Sequence, residues 1–368
     1  MDGVRVKKGK ILVYRVFDIG SEIDLEKVEK IFEQKNIQHR FKLDRKNLSL
    51  IISNAPLKIQ LEQIELTIQD IKIPVEVTAK VWHFGTLSLQ FHIPIVPGTP
   101  WEDLIRTAAW LEADQEIDQI ARKKAKDFTA TIAPAVTLIN EWSQNEDYVI
   151  YFIQELDGHT GKINQLSESV DIPSLIIAEM KEKLSDQVKK ATLDNYYQYS
   201  QDDMAIIDWN SALIVEPSGS MDVALVIEFA LSQLLEMRYY DDLLDQKLNT
   251  LYNEVAKKKS GMLSNKYSRL AEEAGQIYLE TAEIVETVEN SLKVVGDFYL
   301  ATIFRMASKR FRFDDWQKSI NEKLSNLAEV SKLLHSEVNE SRNQLMEIII
   351  ILLIAVEVVP LVYSLVGK

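Results

Sequence analysis

The sequence has no cysteine in 368 residues. That excludes disulfides, thiol nucleophiles, thiolate metal sites and iron–sulfur clusters, and it points to no oxidising compartment. Histidine is scarce: His39, His83, His92, His159 and His335 are scattered along the chain, which argues against a His-rich metal centre. The phosphate-cradling patterns G-x-x-x-x-G-K-[ST] and G-x-G-x-x-G are missing, as is the nucleophile elbow G-x-S-x-G. Positive charge is also short. Lys plus Arg total 42 against 56 Asp plus Glu, a formal net charge of −14. A protein that grips nucleic acid by neutralising phosphates carries the opposite balance. The sequence therefore predicts no catalytic residue, no cofactor, no metal and no nucleic-acid partner, and a non-enzymatic role.

What is present is enough apolar residue, 46%, to bury a core, and enough length for two or three domains. The basic start at Lys7, Lys8 and Lys10 leads into an apolar stretch that carries Arg15. This reads as a first strand rather than a signal peptide, so the chain is expected to begin in the cytosol. Leu48–Ser53, Val75–Trp82 and Thr86–Pro94 alternate as strands, with a short helix over Asp24–Gln34. Thr99 and Pro100 look like the N-cap and first residue of a helix. That helix carries acidic and basic blocks from Glu112 to Lys126, with Asp118 and Arg122 able to pair one turn apart. Asp147–Gln154 reads as a strand, Ile163–Leu193 as mostly helical, and Met204–Trp209 and Ala212–Val215 as two short strands about a turn at Asn210 and Ser211. Residues 1–218 thus form a mixed α/β head of one or two lobes.

From Met221 the period changes. Apolar residues from Val223 to Val255 step by four and three, with Asp241 in one slot of the seam. Further series run from Tyr267 to Phe298 and from Phe313 to Leu345, separated by breaks at Lys257–Gly261 and Arg310–Asp315. Asp314 or Asp315 is the N-cap candidate for the last helix. Residues 219–347 are therefore predicted to be long antiparallel coiled-coil-like helices. Ile348–Val366 is apolar apart from Glu357, Pro360 and Ser364. About 20 such residues cross a bilayer, so 348–366 is expected to be a single transmembrane helix, continuous with the helix before it. The fold class expected is α+β, with one C-terminal membrane anchor.

Two residues stand out against this background. A polar seam residue such as Asp241 can fix register and oligomer state. Glu357, inside the apolar run, needs a polar partner, and a neighbouring copy could supply it. The acidic turn at Asp202, Asp203 and Asp208 could do acid–base work or bind a divalent ion, but turn and cap chemistry explains it as well. Tyr196, Tyr197 and Tyr199 read as packing residues.

Three stretches carry a resemblance: Leu234-Leu235-Glu236 through Leu243-Leu244-Asp245 to Tyr252; Ser291 to Tyr299; and Leu345-Met346-Glu347 followed by the isoleucine run to Glu357-Val358. The C-terminal third resembles the family named "required for meiotic nuclear division", which includes the Sad-interacting-factor-like proteins. Two departures accompany the match: Met346 splits the Leu–Glu pair at the membrane edge, and the Pro and Phe-Trp element after Asp245 is missing. The resemblance implies a membrane-anchored oligomer without known catalytic activity, with Glu347 at the membrane edge. The combined expectation is a non-enzymatic scaffold in a bacterial inner membrane, crossing once, with most of the chain in the cytoplasm. Its partners would be the lipid bilayer, copies of itself and a protein held by the head. The alternative is a channel or transporter subunit with the spans assembled as a ring.

Overall fold

The computed structural model describes residues 3–33, 37–38, 56–139, 142–159, 163–256, 266–292 and 298–366. Two compact units are formed. One comprises Met1–Tyr239 with Asn290–Asp314, the other Tyr240–Glu289 with Asp315–Lys368.

In chain order the first unit begins with β1 (Arg5–Asp18), β2 (Glu22–Ile23), α1 (Leu25–Phe32), β3 (Ile37–Gln38), β4 (Leu57–Gln60), β5 (Ile64–Ile68), β6 (Ile71–Val81), β7 (Thr86–Pro94) and β8 (Thr99–Pro100). It continues through α2 (Trp101–Ala113), α3 (Glu116–Ile132), β9 (Val136–Thr137), β10 (Asn145–Asp157), α4 (Leu166–Ser169), α5 (Ile172–Ile177), α6 (Asp186–Leu193), β11 (Tyr196–Tyr197), β12 (Met204–Ile207) and β13 (Ser211–Val215). Four helices complete the chain: α7 (Asp222–Ala256), α8 (Lys266–Leu292), α9 (Phe298–Arg310) and α10 (Phe313–Val366).

The main sheet runs β11-β12-β13-β10-β1-β7-β6-β4-β3 and is antiparallel except where β10 meets β13. Its central strands alternate strictly. Ile11, Val13, Val77, Ala79, Leu89 and Phe91 point to one face and pack with Leu104 of α2, Ala121 and Phe128 of α3 and Leu175 of α5. On the opposite face Tyr14, Thr78, Lys80, Ser88 and Gln90 are polar and equally buried, beside the apolar Leu12 and Val16. They lie beneath the first half of α7, which joins the sheet through Lys80–Glu228 and Thr86–Glu236 contacts. Phe229 of α7 also packs on Trp82 at 5.3 Å and on Phe304 of α9 at 5.7 Å between ring centroids. The unit is therefore layered as helices, sheet, helices.

Local chemistry sets the element ends. Asp24 caps α1 by accepting from the Lys27 amide at 3.1 Å. The turn between β6 and β7 closes at Gly85, with φ of 98° and the Gly20 carbonyl so near that a Cβ would lie 1.7 Å from it. Thr99 and Pro100 belong to strand β8, and α2 starts at Trp101, because both residues pair with β1 at Arg5 and Val6. Asp118 pairs with Arg15 of β1 rather than with Arg122, which instead donates to the Ser143 carbonyl at 2.8 Å. Likewise α10 begins at Phe313, ahead of the expected aspartate cap, after Arg312 at φ of 59°. The strand expected at Leu48–Ser53 and the break at Lys257–Gly261 lie outside the described residues.

In the second unit the seam residues Leu244, Leu248 and Leu251, Leu270, Ala274 and Ile277, and Ile320, Leu324, Leu327 and Leu334 are buried, as their steps of three and four predict. The helix from Phe313 to Val366 is unbroken over 54 residues.

The transmembrane helix is corrected. Among the described residues no helix is long and apolar enough to cross a membrane. Within α10, Glu347 precedes and Glu357 follows the apolar stretch Ile348–Val356. Nine residues rise only about 14 Å as helix, roughly half of a bilayer core. The expected fold class therefore loses its membrane anchor and stands as α+β, and the expected single-pass placement in an inner membrane is withdrawn with it.

Candidate functional site

The polar sheet face beneath α7 concentrates the unusual chemistry of the first unit. Glu228, Ser232 and Glu236 follow one another at four-residue steps along α7 and are 0%, 0% and 4% exposed. Helical spacing puts them on one stripe, and that stripe meets the polar residues of the strands. Burying such groups is costly unless each finds a partner.

At one end Glu236 accepts from Thr86 Oγ1 at 2.9 Å. Its carboxyl is held well above the usual range, first by burial and then by the charge of Asp18, against the opposing Thr86 bond. Asp18 accepts from the Gly20 amide at 3.2 Å. Near this end of β10, Glu146 pairs with Arg238, and burial raises the Glu146 carboxyl to about 7 although Arg238 opposes the shift. In the middle, Glu228 pairs with Lys80, and Gln90 Nε2 donates to the Tyr14 hydroxyl at 2.6 Å. Burial, followed by the nearby Glu228 charge, pushes the Tyr14 hydroxyl well up.

Basic residues are spread along the same sheet face. Lys58 of β4 lies opposite Lys80 of β6, Gln60 opposite Thr78, and Glu76 opposite His92 of β7. Lys10 of β1 sits one same-face step beyond Leu12, the partner of His92. Thr78 Oγ1 lies 3.3 Å from His92 Nε2 and 3.3 Å from Gln60 Oε1. Burial, then the charges of Lys10, Lys58 and Lys80, drives the His92 imidazole down to about 3, so it is neutral at physiological pH. Sequence reading passed over this cluster. Its four basic residues come from four strands, and only the register reveals that they share one face, with Lys10 three same-face steps from the row of Lys80 and Lys58.

The residues singled out from sequence are placed elsewhere. Asp241 accepts from Ser319 Oγ at 2.6 Å and pairs with Lys323 at 2.8 Å, so α7 and α10 are clasped within the second unit. Lys323 also reaches Asp245 at 2.6 Å. Burial would lower the Lys323 ammonium, but its hydrogen bonds to Asp241 and Asp245 outweigh that and raise it. Glu347 is exposed on α10, and the Glu357 side chain lies outside the described residues. In the acidic turn, Asp203 accepts from the Tyr199 amide at 3.2 Å, and Asp208 accepts from the Trp209 amide at 2.7 Å and pairs with Arg310. These are turn and anchoring roles. Tyr197 stacks on Tyr299 at 5.7 Å, a packing contact. Among the described residues no group of three or more His, Asp or Glu side chains is arranged to hold a metal ion.

Fold and site define an α+β protein with a mixed sheet, one face apolar and the other an interior polar layer under a helix. The chain belongs to the family described as "Uncharacterized protein MJ0711, N-terminal domain", which matches residues 8–222. Uncharacterized protein MJ0711 of Methanocaldococcus jannaschii is 22% identical over 218 residues, 58% of this chain and 65% of that protein, so the chain spans just under two thirds of that relative. No solved structure matches. The expected membership of the meiotic-nuclear-division family is overturned. The family match covers the strands of the sheet unit from within β1 to β13 and ends at Asp222, ahead of all three stretches that carried the resemblance. The first and third of those stretches are leucine steps and an isoleucine run, which long helices with a packed seam repeat.

Proposed function

We propose that the protein is a non-enzymatic, self-associating scaffold, with the second unit joining copies and the sheet unit binding a partner. One observation carries this. From Ile348 to Ile354 every side chain is large, apolar and between 42% and 64% exposed, and Val356, Val358 and Val359 continue the pattern. Consecutive residues point all round a helix, so this stretch lacks cover on every side rather than along one stripe.

The partner that fits is the same stretch of further copies. At about 1.5 Å per residue α10 rises roughly 80 Å and α8 roughly 40 Å. α10 therefore outruns its neighbour within the chain, and its buried seam among the described residues ends at Leu334. Only another α10 offers matching length and composition, and all-round exposure calls for a bundle of copies rather than a single pair.

Light scattering coupled to size exclusion in detergent-free buffer tests this. The full chain is expected at a mass of several copies, and the chain ending at Glu347 at a lower one. A full chain that runs as a monomer overturns the proposal, as does one that leaves solution for phosphatidylcholine vesicles instead of associating with itself.

A further inference from the structure

We propose that a surface pocket formed by α9 and β11, lined by Tyr197, Phe298, Thr302, Arg305, Met306 and Lys309, binds a small aromatic carboxylic acid, with the ring at Phe298 and the carboxylate at Arg305. The inference does not depend on self-association through α10 or on a protein partner of the sheet unit.

Geometry supplies the first argument. Every lining residue belongs to the first unit. Phe298, Thr302, Arg305 and Lys309 follow one another along α9 at steps of four, three and four, with Met306 beside them, so helical spacing puts them on one side. Tyr197 of β11 adds a wall from the sheet, and its ring is fixed by stacking on Tyr299 at 5.7 Å. The cavity holds about 370 Å³, within the range of small-molecule sites. From Phe298 to Arg305 the helix rises about 10 Å, the reach of a two-ring body with an acid at its end.

Charge supplies the second. In a chain of net charge −14, α9 carries Arg305, Lys309 and Arg310 and no carboxylate. Arg310 is committed to Asp208. Among the described residues no carboxylate lies within ion-pair distance of Arg305 or Lys309. Arg305 is held along its own helix instead: Nε donates to the Ala301 carbonyl at 3.3 Å and Nη2 to the Thr302 hydroxyl at 3.2 Å. That hydroxyl in turn donates to the Phe298 carbonyl at 2.8 Å. These bonds turn the guanidinium back over the preceding turn, toward Phe298, and set it before a ligand arrives. A guanidinium has five N–H donors, so others remain for an acid.

Chemistry selects the class. The Phe298 ring is 75% exposed, while the next residue, Tyr299, is 2% exposed. A flat ring seated on Phe298 and against Tyr197 covers that surface and gains ring–ring contacts, and the Met306 thioether adds favourable contact with an aromatic edge. An alkyl chain gains only the burial. At the cationic end a planar carboxylate matches the guanidinium fork with two parallel hydrogen bonds, and Lys309, one turn further on, adds a second positive charge.

Calorimetric titration of the full chain with 2-naphthoate tests the site, beside two comparison ligands. One, 2-naphthamide, keeps the rings and loses the charge; the other, decanoate, keeps the charge and loses the rings. The wild-type protein is expected to bind one 2-naphthoate per chain and each comparison ligand at least about tenfold more weakly. Arg305→Met should weaken 2-naphthoate by about tenfold or more and leave 2-naphthamide unchanged, a split that general misfolding would not produce. Phe298→Ala removes an exposed ring, so it should weaken both aromatic ligands without lowering the urea midpoint. Absence of 2-naphthoate binding overturns the proposal, and so does unchanged affinity in a folded Phe298→Ala/Arg305→Met double variant. Equal affinity for 2-naphthamide overturns the role of the acid, and equal affinity for decanoate overturns the aromatic class.

Discussion

Lys80 and Glu228 form an ion pair with side chains only 5% and 0% exposed, joining β6 to α7 across 148 positions of sequence. Withdrawing two charges from water costs several kcal/mol each, and mutual attraction repays it only while both are present. Lys80→Met leaves Glu228 buried without its counter-charge and should cost about 3–5 kcal/mol. The double replacement Lys80→Met/Glu228→Leu should recover most of that loss, since well-packed apolar groups replace such pairs at little cost. Urea unfolding of the two single variants and the double variant measures the coupling. A double variant no more stable than the worse single one would show that the pair is not the unit of energy.

Glu146 and His92 give stability opposite dependences on pH. Between about pH 4.5 and 7 the folded chain keeps a proton on Glu146 that the unfolded chain releases, so this group makes stability fall as pH rises through that window. His92 acts the other way. Between 6.5 and about 3 the unfolded chain takes up a proton that the folded state refuses, so stability falls as pH drops below 6.5. Each contributes up to about 1.4 kcal/mol per pH unit, and over their shared range they offset one another. Glu146→Gln should leave the His92 effect exposed and steepen the loss of stability on acidification from pH 6.5 to 4.5. Urea midpoints at half-unit pH intervals would show it, and identical pH profiles for variant and wild type would count against a protonated Glu146.

Asp241, Ser319 and Lys323 hold α7 to α10 inside the second unit. Asp241→Leu removes the carboxylate that Ser319 and Lys323 both contact, but leaves Lys323 with the backbone carbonyl of residue 241 and the more exposed Asp245. The expected loss is about 1–3 kcal/mol, the scale of hydrogen bonds to charged groups. Lys323→Met should cost a similar amount, and the two changes together less than their sum. Additive losses in thermal unfolding would remove the clasp as a coupled feature.

The sequence alone determined the elements whose signals are local. Alternation along Val75–Trp82 and Thr86–Pro94 marked two central strands, and steps of three and four from Val223 to Val255 marked α7. The short helix expected over Asp24–Gln34 is α1, and the Asp24 side chain caps it. The long uninterrupted helix to the C-terminal end was legible because nothing between Trp316 and Val359 breaks it. Apolar content alone, however, suggested a membrane span and a family that the fold and the comparison do not support. What a run of isoleucines packs against is not written in the run.

Only the tertiary structure decided what becomes of the polar half of each strand. In an antiparallel sheet the polar half of alternating strands is ordinarily solvated. Instead α7 lies over Thr78, Lys80, Ser88 and Gln90 with Glu228, Ser232 and Glu236 turned inward, and all are buried. Glu228 and Lys80 are separated by 148 positions, and Lys10, Lys58 and His92 come from three strands. No local pattern encodes such a placement. Strand order and register create it, because a side chain's neighbours across a sheet are set by pairing, and a slip of one residue would turn every one of these groups to the opposite face.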